Sequence, residues 1–172
     1  MGVKTAAVLF CGAVVLLCLS AIIQHREDRL NSADRADIQD AIARYAYHWD
    51  GKDADAFSAL FTEDAVMERW LLGELKSRLE GRAAILDYAK ASHTGRLADR
   101  QTRHHMTGIV FTQLTDETAA TQNMVLITHQ TASDATPQPV STGVYRITWR
   151  KTNETWQITK RVLLTDRVAG PG

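Results

Sequence analysis

Residues 102–131 read TRHHMTGIVFTQLTDETAATQNMVLITHQT, and this stretch decides the fold class. β-Branched, aromatic and amide residues alternate along it, and only Thr115-Asp116-Glu117 breaks the pattern. A period of two on either side of a short polar turn predicts two long antiparallel strands, 102–114 and 118–131. Counting outward equally from a tip between Asp116 and Glu117, His104 meets His129, Met106 meets Ile127, Gly108 meets Val125 and Val110 meets Asn123. That face is mostly apolar and is expected to point inward, with two histidines at one end. His105 alternates to the other face, so the His104-His105 doublet is not a chelating pair.

The same chemistry continues downstream in Val140–Lys151 and Thr155–Asp166, separated by Ser133–Gln138 with its Pro137 and by Thr152-Asn153-Glu154. Upstream the period becomes helical. Ile38, Ile42, Tyr45 and Trp49 form an apolar stripe over residues 34–52, with Ser32 or Asp34 as the cap and Gly51 as the stop. A short helix is expected over Asp53–Phe61, a strand over Glu63–Leu72 with a turn at Gly73, and a third helix over Gly81–Ser92. Helices followed by an antiparallel meander make an α+β layout.

The chain has 172 residues, 45% of them apolar, with 20 basic and 20 acidic side chains. One domain with a full core fits that length. A balanced charge supplies no footprint for nucleic acid. Cys11 and Cys18 both lie in the N-terminal apolar run, so the folded part has no thiol and no Cys-ligated metal. That run, Thr5–Ile23 after Lys4, falls between a signal-peptide core and a spanning helix. Residues 1–29 are therefore expected to be a membrane anchor or a cleaved secretory signal with a short linker. The protein is then membrane-anchored, or secreted or periplasmic, and 30–172 form the domain.

Asp50 directly follows the buried stripe and is the candidate partner for a histidine that must be held in one tautomer. The segment ARYAYHWDGKDADAFSALFTEDAV (43–66) resembles the opening of SnoaL-like, NTF2-like proteins. TRHHMTGIVF (102–111) resembles their first long strand, and STGVYRITWRKTNETWQITKR (141–161) their last hairpin. The likeness spans about Ile38 to Arg167. It is greatest to the branch holding scytalone dehydratase, the dehydrochlorinase that acts on hexachlorocyclohexane, and bile-acid 7α-dehydratase. It implies a cone of three N-terminal helices on a strongly curved antiparallel sheet enclosing one pocket. It also implies an Asp50–His104 dyad, with Tyr45 and His129 assisting. Positions matching two polar residues of scytalone dehydratase on the third long strand are Val144 and Arg146, so the substrate should differ.

In the mechanism this suggests, His104 Nε2 removes a proton next to a carbonyl or leaving group and Asp50 orients the ring. Tyr45 or Tyr47 donates to the developing enolate oxygen, and His129 protonates a departing hydroxyl. Trp49, Phe57, Met106, Val125 and Ile127 wall the pocket around a small hydrophobic, even polycyclic, molecule; Arg146, if inward, anchors an anionic group. No cofactor is required. Two competing readings are a two-His, one-carboxylate metal site and a non-catalytic ligand-binding or interaction module. Ile109, Phe111, Met124 and Leu126 on the outer face suggest a homodimer or homotrimer. Asn153-Glu154-Thr155 is a glycosylation sequon on an expected turn.

Overall fold

A computed structural model describes residues 31–166. The N-terminal apolar run lies outside them, and among the described residues no helix is long and apolar enough to cross a membrane. The chain divides into two compact units, 1–36 and 37–172, and the sheet and the cavity belong to the second.

Helix α1 covers 31–50. It is already helical at residue 31, so neither Ser32 nor Asp34 caps it. The stripe Ile38, Ile42, Tyr45 and Trp49 is buried as its spacing requires. Its end is a Schellman motif: Asp53 N–H donates to His48 O (2.9 Å) and Lys52 N–H to Trp49 O (3.0 Å). Lys52, not Gly51, adopts the left-handed conformation (φ 59°). Asp53 then caps helix α2 (Ala54–Ala59) by accepting from Ala56 N–H.

Strand β1 (Phe61–Leu71) turns at Leu72-Gly73, both with positive φ, into β2 (Glu74–Glu80). β2 is a charged edge strand exposed along nearly its whole length, and the apolar pattern did not reveal it. Helix α3 (Arg82–Thr94) follows, then β3 (Arg100–Leu114), β4 (Thr118–Thr131), β5 (Gln138–Thr152) and β6 (Thr155–Thr165). The six strands form one sheet in the order β2-β1-β6-β5-β4-β3. It is mixed rather than antiparallel, because β1 pairs parallel with β6. Nothing local in the sequence signals a pairing between strands so far apart.

The β3–β4 register corrects the sequence reading. Near the turn Leu114 faces Ala119, as equal counting requires. Two irregularities then intervene, between Phe111 and Gln113 and between Thr107 and Val110. Each inserts one residue into β3 and inverts which residues face in. Ile109 and Phe111 consequently turn inward and pack on the core instead of lying on the outer face. The second irregularity restores the original parity. His104 and His129 therefore share a face, but two positions out of step: Thr102 faces His129, His104 faces Ile127 and Met106 faces Val125. Gly108 serves the second irregularity with φ +62°, where a Cβ would lie 2.8 Å from Met124 Cε. Val110, expected inward, is turned to the outer face and exposed there, while Met124 and Leu126 lie outside as expected.

Candidate active site

The last turn of α1 sets Asp50 against the start of β3. β3 ends the sheet, so its outward N–H groups have no ladder partner, and Asp50 takes one. The carboxylate accepts from Thr102 Oγ1 (2.6 Å) and His104 Nδ1 (2.8 Å) on Oδ1, and from His104 N–H (2.8 Å) on Oδ2. Gln101 Nε2 donates to the Asp50 backbone carbonyl (2.9 Å), closing the clamp. An aspartate at a helix C-terminus faces the unfavourable end of the dipole. Burial also raises its pKa, but the hydrogen bond and charge of His104, with the Thr102 hydroxyl and the His104 amide, outweigh that and hold the carboxyl below its ordinary value. An ionised carboxylate only accepts, so the proton on His104 sits on Nδ1 and the Nε2 lone pair is free. Both side chains are 7% exposed.

His104 opens into a cavity of about 450 Å³. Tyr45, Trp49, Ile127 and His129 line it, as the sequence reading expects. Five other expected residues do not. Tyr47 is 79% exposed, on the opposite side of α1 from the stripe. Phe57 is buried behind the wall, edge-on to Tyr45 (4.9 Å) and Trp49 (5.0 Å). Val125 is buried in the core, and Met106 packs against that core with Sδ accepting from Asn123 Nδ2 (3.3 Å). Arg146 is a further correction: it lies on the exposed outer face beside Gln122, Thr148 and Lys160. On β5 the inward residue is Tyr145, so Val144 and Arg146 are not the pocket positions of that strand.

Sequence reasoning missed several lining residues: Tyr145, Arg161, Leu163, Arg69, Tyr88 and Arg96. The alternation of β5 could have flagged Tyr145, which shares parity with buried Ile147 and Trp149, but an extra residue between Ile158 and Lys160 on β6 puts Arg161 and Leu163 out of parity with Trp156 and Ile158, so counting along that strand points away from them. The Tyr45 and Tyr145 rings meet at 5.6 Å. Burial first, then the Tyr45 phenol, push the Tyr145 hydroxyl well above its ordinary pKa, so it stays a proton donor. His129 is pushed down by burial, then by Arg100, His104 and Arg96, and so rests neutral. His93 packs edge-on against Trp49 (4.9 Å) with both ring nitrogens buried and unpartnered, and burial with Lys52 lowers its pKa too. Among the described residues no three His, Cys, Asp or Glu side chains converge on a metal-binding position.

An α+β chain with helices and a six-stranded mixed sheet is consistent with the NTF2-like, cystatin-like fold. Residues 31–162 match the family model of the SnoaL-like domain, and the chain belongs to that family. A Mycobacterium tuberculosis protein of unknown function is 25% identical over 80% of this chain and 74% of its own, with TM-score 0.68. An NTF2-like protein with a cystatin-like fold from Novosphingobium aromaticivorans is 26% identical over 86% and 87%, with TM-score 0.65. A putative scytalone dehydratase from the same organism is 23% identical over 80% and 87%, with TM-score 0.68, and shows the shared fold. No curated protein matches the sequence.

Proposed function

We propose that the protein is a cofactor-independent lyase or isomerase that begins with proton abstraction from carbon by His104. The observation that carries this is the clamped Asp50, whose three accepted hydrogen bonds leave His104 Nε2 as a free base in an open cavity. An aspartate that orients an imidazole and stabilises the imidazolium is the arrangement general-base catalysis needs. The base takes a proton next to a carbonyl, and the C–H electron pair moves into the enolate. Tyr45 and Tyr145, the second held as a phenol by burial, are hydrogen-bond donors lining the cavity for the enolate oxygen. In a dehydration the enolate expels a β-hydroxyl, which leaves as water after taking a proton. His129 rests neutral, which favours the newly formed His104 imidazolium as that proton's source and leaves His129 to hydrogen-bond the leaving oxygen. In an isomerisation the same imidazolium returns the proton to a different carbon.

The non-catalytic alternative would be favoured by a pocket filled with its own aromatic side chains. The cavity stays open although Tyr45, Trp49, Tyr88 and Tyr145 line it, and this supports the enzyme. The test is solvent-deuterium incorporation, together with elimination, across a panel of β-hydroxy ring ketones, by mass spectrometry. Wild type is expected to label or dehydrate at least one member, and His104→Ala and Asp50→Asn to lose this. Equal turnover by all three proteins would overturn the proposal.

A further inference from the structure

Three guanidinium groups line the cavity: Arg161 from β6, Arg69 from β1 and Arg96 from the α3–β3 connection. No carboxylate pairs with any of them among the described residues. Arg69 Nε reaches only Thr165 Oγ1 (3.4 Å), and Arg96 Nη2 donates to Tyr88 Oη (3.0 Å) and Ser92 Oγ (3.3 Å). Arg161 is 7% exposed; its Nη1 donates to the Glu68 backbone carbonyl (2.9 Å) and its Nε is buried with no partner. Its guanidinium carbon lies 5.2 Å from the Tyr145 ring centre and 5.9 Å from that of Tyr45.

A buried guanidinium is seldom left without an anion, because removing it from water is costly. The aromatic faces offset part of that cost but do not use the idle N–H. Other arginines in this chain have their acids: Arg82 pairs with Glu63, Arg150 with Asp64, and Arg78 with both Glu68 and Glu80. Among the described residues Glu68 is the one carboxylate residue in the cavity lining, and its carboxylate is held by Trp70, Arg78 and Lys160, none of which lines the cavity. Asp50 is committed to His104 and Thr102. The cavity therefore combines apolar walls, an excess of positive charge and one orphan donor at depth. Arg69 and Arg96 are exposed and stand where the cavity meets solvent.

We infer that the substrate is an anion, a carboxylate-bearing aromatic or alicyclic compound whose acid group completes the hydrogen bonding of Arg161. Arg69 and Arg96 supply the field that draws it in. This rests on the cavity being the substrate site of the proposed function, but not on which step His104 performs. The test is calorimetric titration of the full chain with 2-naphthoate and with 2-naphthalenemethanol, which share a ring system and differ in charge. Naphthoate should bind at least about tenfold more tightly, and added salt should narrow the gap. Arg161→Gln should remove about tenfold of that preference, and Arg96→Gln a smaller part together with some of the salt dependence.

Asp50→Asn should keep the preference, which separates this inference from the catalytic one. Lost turnover with retained preference supports both. Undiminished turnover with retained preference sinks only the catalytic reading. Equal binding of the two probes by wild type overturns the inference, as does a preference whose size and salt dependence are both unchanged by Arg96→Gln, or no naphthoate binding at millimolar concentration. The exposed Arg96 keeps the test decisive even where Arg161→Gln does not fold.

Discussion

Replacing Asp50 with asparagine alters the site without altering its shape, so its consequences can be worked from the contacts. The carboxylate faces three donors: the Thr102 hydroxyl, the His104 amide and His104 Nδ1. An amide can accept through its oxygen alone. If that oxygen meets the His104 amide, the NH₂ group faces Nδ1, and the ring relieves the conflict by moving its proton to Nε2. The base is then occupied. If the NH₂ group faces the His104 amide instead, two N–H groups oppose each other in a buried place, at a cost of about 1–3 kcal/mol. The first arrangement is cheaper, so the tautomer should invert. Turnover should fall by about four orders of magnitude, the size expected where an aspartate sets a catalytic histidine's tautomer.

Long-range ¹⁵N–¹H correlation spectra of the His104 ring in alkaline buffer read the tautomer directly. Protonation should sit on Nδ1 in wild type and on Nε2 in Asp50→Asn. An unchanged pattern would refute the reasoning, since Asp50 would not then be setting the ring. Urea unfolding adds a second check. The folded-state pKa of Asp50 is lowered, so its contribution is present above the ordinary carboxylate range and is lost as pH falls through the folded value. Asp50→Asn should lose that part of the acid sensitivity.

Three further outcomes follow from the same contacts. Gly108→Ala should destabilise the domain by about 1–2 kcal/mol, because φ is +62° and the new methyl would meet Met124; urea midpoints measure it. His93 and His129 both have lowered folded-state pKa values, so the neutral rings favour the fold. Stability should be complete above the ordinary histidine pKa of 6.5 and fall as pH drops through the folded values, by at most about 1.4 kcal/mol per pH unit for each ring. Melting temperatures from pH 8 down to about pH 5 test this. Arg146→Ala and Tyr47→Phe should leave probe binding and turnover within about twofold, because neither residue lines the cavity; a larger loss would return them to the site.

Periodicity and turn chemistry alone determine a large part of this protein. The buried stripe of α1 is legible because its residues recur with the helical turn, and β4 spans the residues its alternation predicts. The Asp50–His104 pairing is legible in part: an apolar stripe ending beside an acid, and a histidine on an inward strand position, depend only on local spacing. What the tertiary structure decided is whatever depends on irregularity or on distant pairing. Two one-residue insertions in β3 turned Ile109 and Phe111 inward and set His104 against Ile127, and a count from the turn cannot register them. The parallel β1–β6 pairing brought Met67 alongside Arg161 and set Arg69 against Leu163 in one cavity wall. On β6 an extra residue between Ile158 and Lys160 brought Arg161 and Leu163 inward against the parity of Trp156 and Ile158. Local energetics write helices and strands into a sequence; the register between strands is a property of the whole sheet.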